Sequence, residues 1–525
     1  MAESRADPGT GQLTPRQIVT AMSGLVLAML LAQLDNMIVA PALPTIVGEL
    51  GGLNHLSWVV TAYILASTVA TPIWGKLGDI FGHKHTFMAA IGLFLIGSAL
   101  CGASQNMTEL VLFRGVQGLG AGGLIVGIMS VIGMLVSPRE RGKYMGVMMA
   151  VMPAALIAGP LIGGWITDNA SWRWVFYVNL PLGLVSLVVV WWTLHLSHER
   201  SHQGLVLIDW WGAGVLSVWI ISLVLAITWG GHQYPWDSWQ ILTLFAMAAV
   251  GLVVFLVIEQ RVAEPIIPLR LFGIANFSLA TALGFVAGFA MFGGITFLPQ
   301  YQQFVQGASA TNSGLLLMPM MIAAMVFSLG GGQVISRTGH YRTFPILGTV
   351  LLVVGLWLFS TMGVDTPTWQ TSLFMVVLGA GMGCLMQTTS LIAQNSVTIR
   401  DLGAATGAST FVRNLGGSLG VAILGAIYAG QVTSTLTEAG VSGASTESTG
   451  GLTPAVLQTL PLPAQEVVRQ AIADGTHSIF LFAAAVTVAG FVVSWFIKQV
   501  PLRESATVPE PTAEEAAEQV ESQMM

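Results

Sequence analysis

Apolar runs of about 20 residues, the length a helix needs to cross roughly 30 Å of hydrocarbon, recur along the whole chain between short polar stops. Hydropathy places them near 18–42, 57–79, 85–104, 107–136, 144–167, 172–195, 210–230, 239–259, 276–300, 311–335, 343–361, 369–397, 403–430 and 476–498. An even number of spans puts both chain ends on one side, and the basic residues say which, because Lys and Arg accumulate in cytoplasmic loops. Of the 19 Lys and Arg residues, only Arg173 and Arg469 fall outside and only Arg114 and Arg413 fall within spans. The pattern predicts an all-α polytopic membrane protein of fourteen transmembrane helices with cytoplasmic N- and C-termini.

Composition sharpens that reading. The 525 residues are 54% hydrophobic and 8% charged, against about 25% charged in a soluble domain. This excludes a soluble enzyme and a nucleic-acid binder, and makes the bilayer the first partner. The net charge of −6 comes largely from Glu504, Glu510, Glu514, Glu515, Glu518 and Glu521, in a tail (501–525) that reads as disordered and cytoplasmic. Residues 1–17 are polar, and the run after them is too long for a signal-peptide core, so it reads as a retained span. Cys101 and Cys384 both fall within spans, which argues against a disulfide framework.

The chain repeats itself. GKLGDIFGHK (Gly75 to Lys84) is echoed by GQVISRTGHYR (Gly332 to Arg342), and RERG (Arg139 to Gly142) with Gly159 and Gly164 by RDLG (Arg400 to Gly403) with Gly420 and Gly425. Two echoes at nearly one offset imply a six-helix bundle over 18–195, two inserted helices with linkers over 196–275 and a second six-helix bundle over 276–500. A long Ser-, Thr- and Gly-rich outer loop is expected at 431–475. Such halves are typical of secondary transporters with a site between them.

Charges at membrane depth carry the chemistry, since a carboxylate there costs about 2.5–3.5 kcal/mol on insertion scales. Asp35, in LDNMIVAPALP (Leu34 to Pro44), and Arg114 each lie about 10 Å in from the outer ends of their spans. Opposite charges at one depth are cheaper together. A pair that breaks on protonation would tie proton binding to helix movement; a static ion pair is the other reading. Arg413 either lines a cavity and attracts anionic or polar groups, or bonds carbonyls of a Gly-broken neighbour. Asp79, on the cytoplasmic face with Arg139, Arg141 and Lys143, is placed to accept from the helix N-terminus near Leu402, where a carboxylate is favoured. Candidate cavity polars are Gln33, Asn36, Tyr63, Gln117, Asn179, Gln387, Gln394 and Asn395, each also able to serve as an interhelical hydrogen-bonder. Trp172, Trp174, Trp191, Trp192, Trp210, Trp211, Trp236 and Trp239 read as interfacial belts.

Enzyme patterns do not survive their context. GLGAGG (Gly118 to Gly123) follows no strand, and GGSLG around Ser418 is mid-span. With no phosphate-binding loop and no HExxH or paired-Cys motif, neither ATP, an organic cofactor nor a metal is expected, and a proton gradient is left as the energy source.

Taken in order, four signatures resemble the major facilitator superfamily, specifically its fourteen-helix drug:proton antiporter branch. The 75–84 loop is similar to the superfamily's cytoplasmic loop, with Ile80 and His83 in place of two basic residues. LFRGVQGLGAG (Leu112 to Gly122) resembles the span-four motif, and AGPLIGG (Ala158 to Gly164) the span-five antiporter motif. The 34–44 run, with Met37 and Pro41 as departures, and WRWVFYVNLP (Trp172 to Pro181) resemble the motifs of the branch. The resemblance implies proton-coupling roles for Asp35 and Arg114. It implies a cytoplasmic gate from Gly75, Asp79, Gly82, Lys84, Arg139 and Arg141, and an export-associated bend at Gly159, Pro160, Gly163 and Gly164. The implied protein is a monomeric, multi-pass plasma-membrane exporter that exchanges protons for amphipathic drugs, dyes or antibiotics. A dedicated exporter of an endogenous metabolite, siderophore or lipid is the alternative, and a membrane scaffold or intramembrane enzyme is disfavoured for want of a nucleophile–base pair.

Overall fold

In a bilayer every backbone N–H and C=O must be satisfied within the protein, which leaves the helix as the means of crossing for runs like these. The computed structural model describes residues 15–50, 56–136, 140–194, 209–231, 233–262, 264–308, 312, 315–398, 401–439, 457 and 461–502. Arg139, the segment before Pro15, most of 440–460 and the tail from Arg503 lie outside the described residues, as do the side chains of Arg141, Lys143 and Pro160.

The helices are α1 (Pro15–Leu50), α2 (Leu56–Phe81), α3 (His83–Ala103), α4 (Met107–Leu135), α5 (Arg141–Asn169), α6 (Trp174–Tyr177), α7 (Asn179–Thr193), α8 (Trp210–Trp229) and α9 (Trp239–Glu259). They continue as α10 (Ala275–Phe304), α11 (Met318–Thr338), α12 (Thr343–Ser360), α13 (Thr368–Asn395), α14 (Leu402–Glu438) and α15 (Leu462–Trp495). The short α6 runs into α7 as one span, Trp174–Thr193. With that merger, 13 helices among the described residues are long and apolar enough to cross a membrane, and α5, at 29 residues, completes the fourteen expected.

Polar residues set the helix ends. Asn106 accepts from Glu109 N–H while Glu109 reaches back to Gln105 N–H, and Asp209 and Ser238 cap α8 and α9 through Gly212 N–H and Ile241 N–H. Helix α1 runs eight residues past its expected end, and α15 starts 14 residues before its span. After Pro463 in its first turn, the stretch from Ala464 to Ala473 is rich in Ala, Gln, Glu and Arg, which form helix readily without being apolar, so hydropathy gives little signal there. The outer loop is therefore shorter than 431–475. Helix α11 starts at Met318 rather than near 311, with Pro319 in its first turn.

Helices α1–α7 pack on one another, and so do α10–α15. The two groups meet along α2–α14 and α5–α11, with α4 also touching α14. Lipid tails are as apolar as Leu, so these seams are held by close packing and hydrogen bonds, which favours small residues. At the α2–α14 seam Gly75 lies against the Gly403 carbonyl, and Gly407 against Pro72. The inserted α8 and α9 pack on each other, and α8 packs on α2 and α14. Their linker reaches under both halves: Lys76 Nζ of α2 meets Glu264 at 2.6 Å, and Arg270 meets Asp401, at the start of α14, at 2.7 Å.

Candidate functional site

The deepest polar cluster joins five helices. Asp35 on α1 and Arg114 on α4 are 0% and 1% exposed, so their charges must satisfy each other. Arg114 Nη1 donates to Asp35 Oδ2 at 2.7 Å and to Gln117 Oε1 at 2.8 Å, while its Nε donates to the Val59 carbonyl at 3.2 Å. The other carboxylate oxygen accepts from Gln117 Nε2 at 2.8 Å and from Asn179 Nδ2, on α7, at 2.7 Å. Asn179 also donates to Ser98 Oγ on α3, and Ser98 donates to the Phe176 carbonyl. Tyr63 on α2 lays its ring 4.1 Å from the guanidinium carbon, a cation–π contact in a desolvated setting.

Both oxygens of Asp35 are thus engaged by donors suited to an anion. Three donors take three of its roughly four lone-pair sites, so a proton has room on Oδ2 and, once bound there, cancels the charge that holds Arg114. Arg114 would retain Gln117 and Val59, so the guanidinium can be handed over without being stranded. Helices α1, α4 and α7 are tied through this one carboxylate.

The motif on α5 buttresses the same region. Gly159 lies against Met37 and Gly163 against the Ile38 carbonyl, so α5 touches α1 within one turn of Asp35; Gly164 faces open space. Outside the cluster, Glu49 at the end of α1 accepts from Trp172 Nε1 at 2.7 Å and meets Arg173 at 3.6 Å. Trp172 is therefore not part of an interfacial belt: it is 1% exposed and anchors α1, whereas Trp191, Trp192, Trp210, Trp211 and Trp239 are exposed. Trp174 and Trp236 are exposed as well.

A second cluster closes the cytoplasmic end. Asp79 Oδ1 accepts from Gly403 N–H at 2.7 Å and Oδ2 from Ala404 N–H at 2.6 Å, so a carboxylate of the first half caps the first turn of α14 in the second. His83 Nε2 lies 3.2 Å from Asp79 Oδ1. Gly82 holds φ 88° between α2 and α3, a conformation open to glycine. This cap needs the near-contact of Gly75 with Gly403, because a methyl group on either would meet the other's carbonyl.

Some expected residues lie elsewhere. Lys84 is not in the latch: its Nζ donates to the Trp191 carbonyl at 2.8 Å and sits over that ring, tying α3 to α7, because its neighbour His83 takes the place facing Asp79. Lys84→Ala is accordingly expected to leave transport within about twofold of wild type, the size of an exposed contact; a dye-efflux assay checks this. Gln394 is a seam residue rather than a cavity residue, donating to Thr406 Oγ1 of α14 and to the Met129 carbonyl of α4. Asn395 bonds the Pro501 carbonyl. Gln387 accepts from Ser328, and Asn36 donates to the Ala32 carbonyl of its own helix. Gln33 is half-buried on α1. Ser98, the Val59 carbonyl and Cys101, whose thiol approaches Gln117 Oε1 at 3.6 Å, belong to the deep cluster without a sequence signal: each sits in an apolar run.

Comparison with known proteins follows the same lines. The sequence model of the Major Facilitator Superfamily matches residues 25–421. An uncharacterised MFS-type transporter of Mycobacterium tuberculosis is 41% identical over 492 residues, covering 94% of this chain and 71% of the relative. The multidrug transporter protein MdtP of Bacillus subtilis is 36% identical over 527 residues, covering 95% of this chain and 97% of the relative. Among solved structures, the human organic anion transporter MFSD10 superposes with TM-score 0.63 at 12% identity, covering 92% of this chain and 100% of that one, a likeness of fold.

Proposed function

The chain belongs to the major facilitator superfamily of membrane transporters, and from that premise we propose that it is a proton-driven exporter of amphipathic drugs, dyes or antibiotics. The observation that carries the reading is the Asp35 carboxylate, enclosed on every side and bonded at both oxygens by Arg114, Gln117 and Asn179. A group held this way is costly unless its charge is put to use. Protonation cancels the attraction to Arg114, frees α1 from α4 and α7, and lets the halves rock about the site. Deprotonation toward the cytoplasm re-forms the cluster. Alternating access then couples one inward proton step to one outward substrate step. The resemblance to multidrug transporters over nearly the full chain supports the substrate class.

The test uses everted membrane vesicles acidified inside by respiration. Ethidium should enter the vesicles and partly collapse the pH gradient, and a protonophore should stop its entry. Ethidium and a panel of other amphiphiles all failing to move protons would overturn the reading.

A further inference from the structure

Arg413 is a third ionic group at membrane depth, eleven residues into α14, about 17 Å from that helix's cytoplasmic end and so near the middle of the hydrocarbon layer. In contrast to Arg114, it forms no hydrogen bond or ion pair with any described residue, and neither does the neighbouring Asn414. It is half-buried rather than sealed. It does not face lipid: Phe411 packs edge-on against Trp219 of α8 at 5.7 Å, and Arg413 lies about 200° around the helix from it at 3.6 residues per turn. Gly403 and Gly407 define the face of α14 turned to the first half, and Gly416 and Gly420 the face turned to α10. Arg413 falls in the wedge between those faces, toward the space enclosed by the two halves. Opposite it, α10 carries Gly288, against the Arg413 carbonyl and Cγ, and Gly284, near its Cβ, so α10 closes on α14 here without placing a side chain against the Arg413 stem.

A permanently charged, unpartnered guanidinium at this depth is expensive. No carboxylate of the described residues pairs with it, and Asp35 is already committed to Arg114. Carbonyls of a broken neighbouring helix, the other role the sequence allows, do not reach it. The interior therefore offers an uncompensated positive charge, with the Asn414 amide about 100° round the helix on the side of Gly403 and Gly407, turned to the first half. We propose that Arg413, with Asn414, forms an anion subsite in the transport cavity, and that the protein carries amphiphiles bearing a carboxylate or similar acidic group. The inference rests on the exporter reading and narrows its substrate class.

Carboxyfluorescein and ethidium, an anionic and a cationic dye, separate the possibilities. Binding is read by fluorescence anisotropy on the full-length protein in nanodiscs of zwitterionic lipid, and transport in proteoliposomes with an imposed pH gradient. Wild type should bind carboxyfluorescein; Arg413→Gln should weaken it about tenfold or more, the loss of a charge-assisted bond. Arg413→Lys should recover part of that, and ethidium affinity should be unchanged or higher in the Gln variant. Removing an unpaired charge should not lower thermal stability. As a check independent of the variants, carboxyfluorescein should shield Arg413 of the wild-type protein from phenylglyoxal, read by peptide mass. Ethidium transport with no carboxyfluorescein binding, equal carboxyfluorescein affinity in wild type and Arg413→Gln, or no shielding of Arg413 would overturn this inference alone. Failure of wild type to move either dye would overturn the exporter reading beneath it.

Discussion

Asp35→Asn should abolish proton-driven export while leaving substrate exchange without a gradient measurable. The amide keeps the side chain's size and one acceptor oxygen but cannot take up a proton. Where Oδ2 accepts from Arg114 and Oδ1 from Gln117 and Asn179, one oxygen becomes a donor, so the cluster is set near its protonated arrangement. Coupled ethidium export should fall at least about 100-fold, the scale of a removed charge-assisted contact. Counterflow in proteoliposomes should persist, since it requires rocking but no net proton step. Full gradient-driven export by the variant would remove Asp35 from the mechanism. The partner substitution should behave differently. Arg114→Met leaves a carboxylate at 0% exposure with only neutral donors, and breaking a buried pair from one side costs about 3–5 kcal/mol. The double variant Asp35→Asn/Arg114→Met should regain much of that stability by thermal denaturation, yet remain uncoupled. Additive losses would mean the two residues do not act as a pair.

Asp79→Asn should shift the protein away from the cytoplasm-closed state. The carboxylate accepts two backbone N–H bonds across the seam, at 2.7 and 2.6 Å. An amide can accept one and turns a donor toward the other. A charge-assisted bond is worth about 1.5–3 kcal/mol, so the closed population should fall by about tenfold or more. A cysteine pair placed across α2 and α14 at Gly75 and Gly407 would be too disruptive to report this. Spin labels at the exposed Phe81 and Thr338, at the cytoplasmic ends of α2 and α11, would report it as a longer mean distance. Transport should drop steeply, with the protein still folded. An unchanged distance distribution would show that the cap is incidental.

Much of this was legible in the sequence because membranes simplify the problem. Every span is an apolar run with polar ends, so helix number and order follow from hydropathy alone. Asp35, Arg114, Arg413 and Asp79 stand out because charge in an apolar run has few explanations. Asp79's bond to the start of α14 could be anticipated from helix electrostatics. What stayed hidden had no contrast with its surroundings. Ser98 looks like any small residue in α3, and the Val59 carbonyl has no side chain to announce it. Lys84 and Trp172 were misplaced because their residue types suggested surface roles, while burial and neighbours decided otherwise. The helical extension ahead of the last span was missed because hydropathy measures greasiness and not helicity.

The linker between α9 and α10 holds unequally at its two ends. Lys76 and Glu264 are 12% and 22% exposed, whereas Arg270 is 68% exposed where it meets Asp401. A wet contact of that kind is worth about 0–1 kcal/mol, and a drier one is screened less. Apolar burial decides which half keeps the linker: Leu216 and Ile220 of α8, Phe255 of α9 and Ile266, Ile267 and Leu271 of the linker are buried in one cluster with Phe277 and Leu283 of α10. If the cytoplasmic side parts, the inserted helices would then travel with the second half, and the Lys76–Glu264 contact is the one that must stretch or break. The extra pair of helices is, in that sense, luggage of one half, and it sets how far the other can swing.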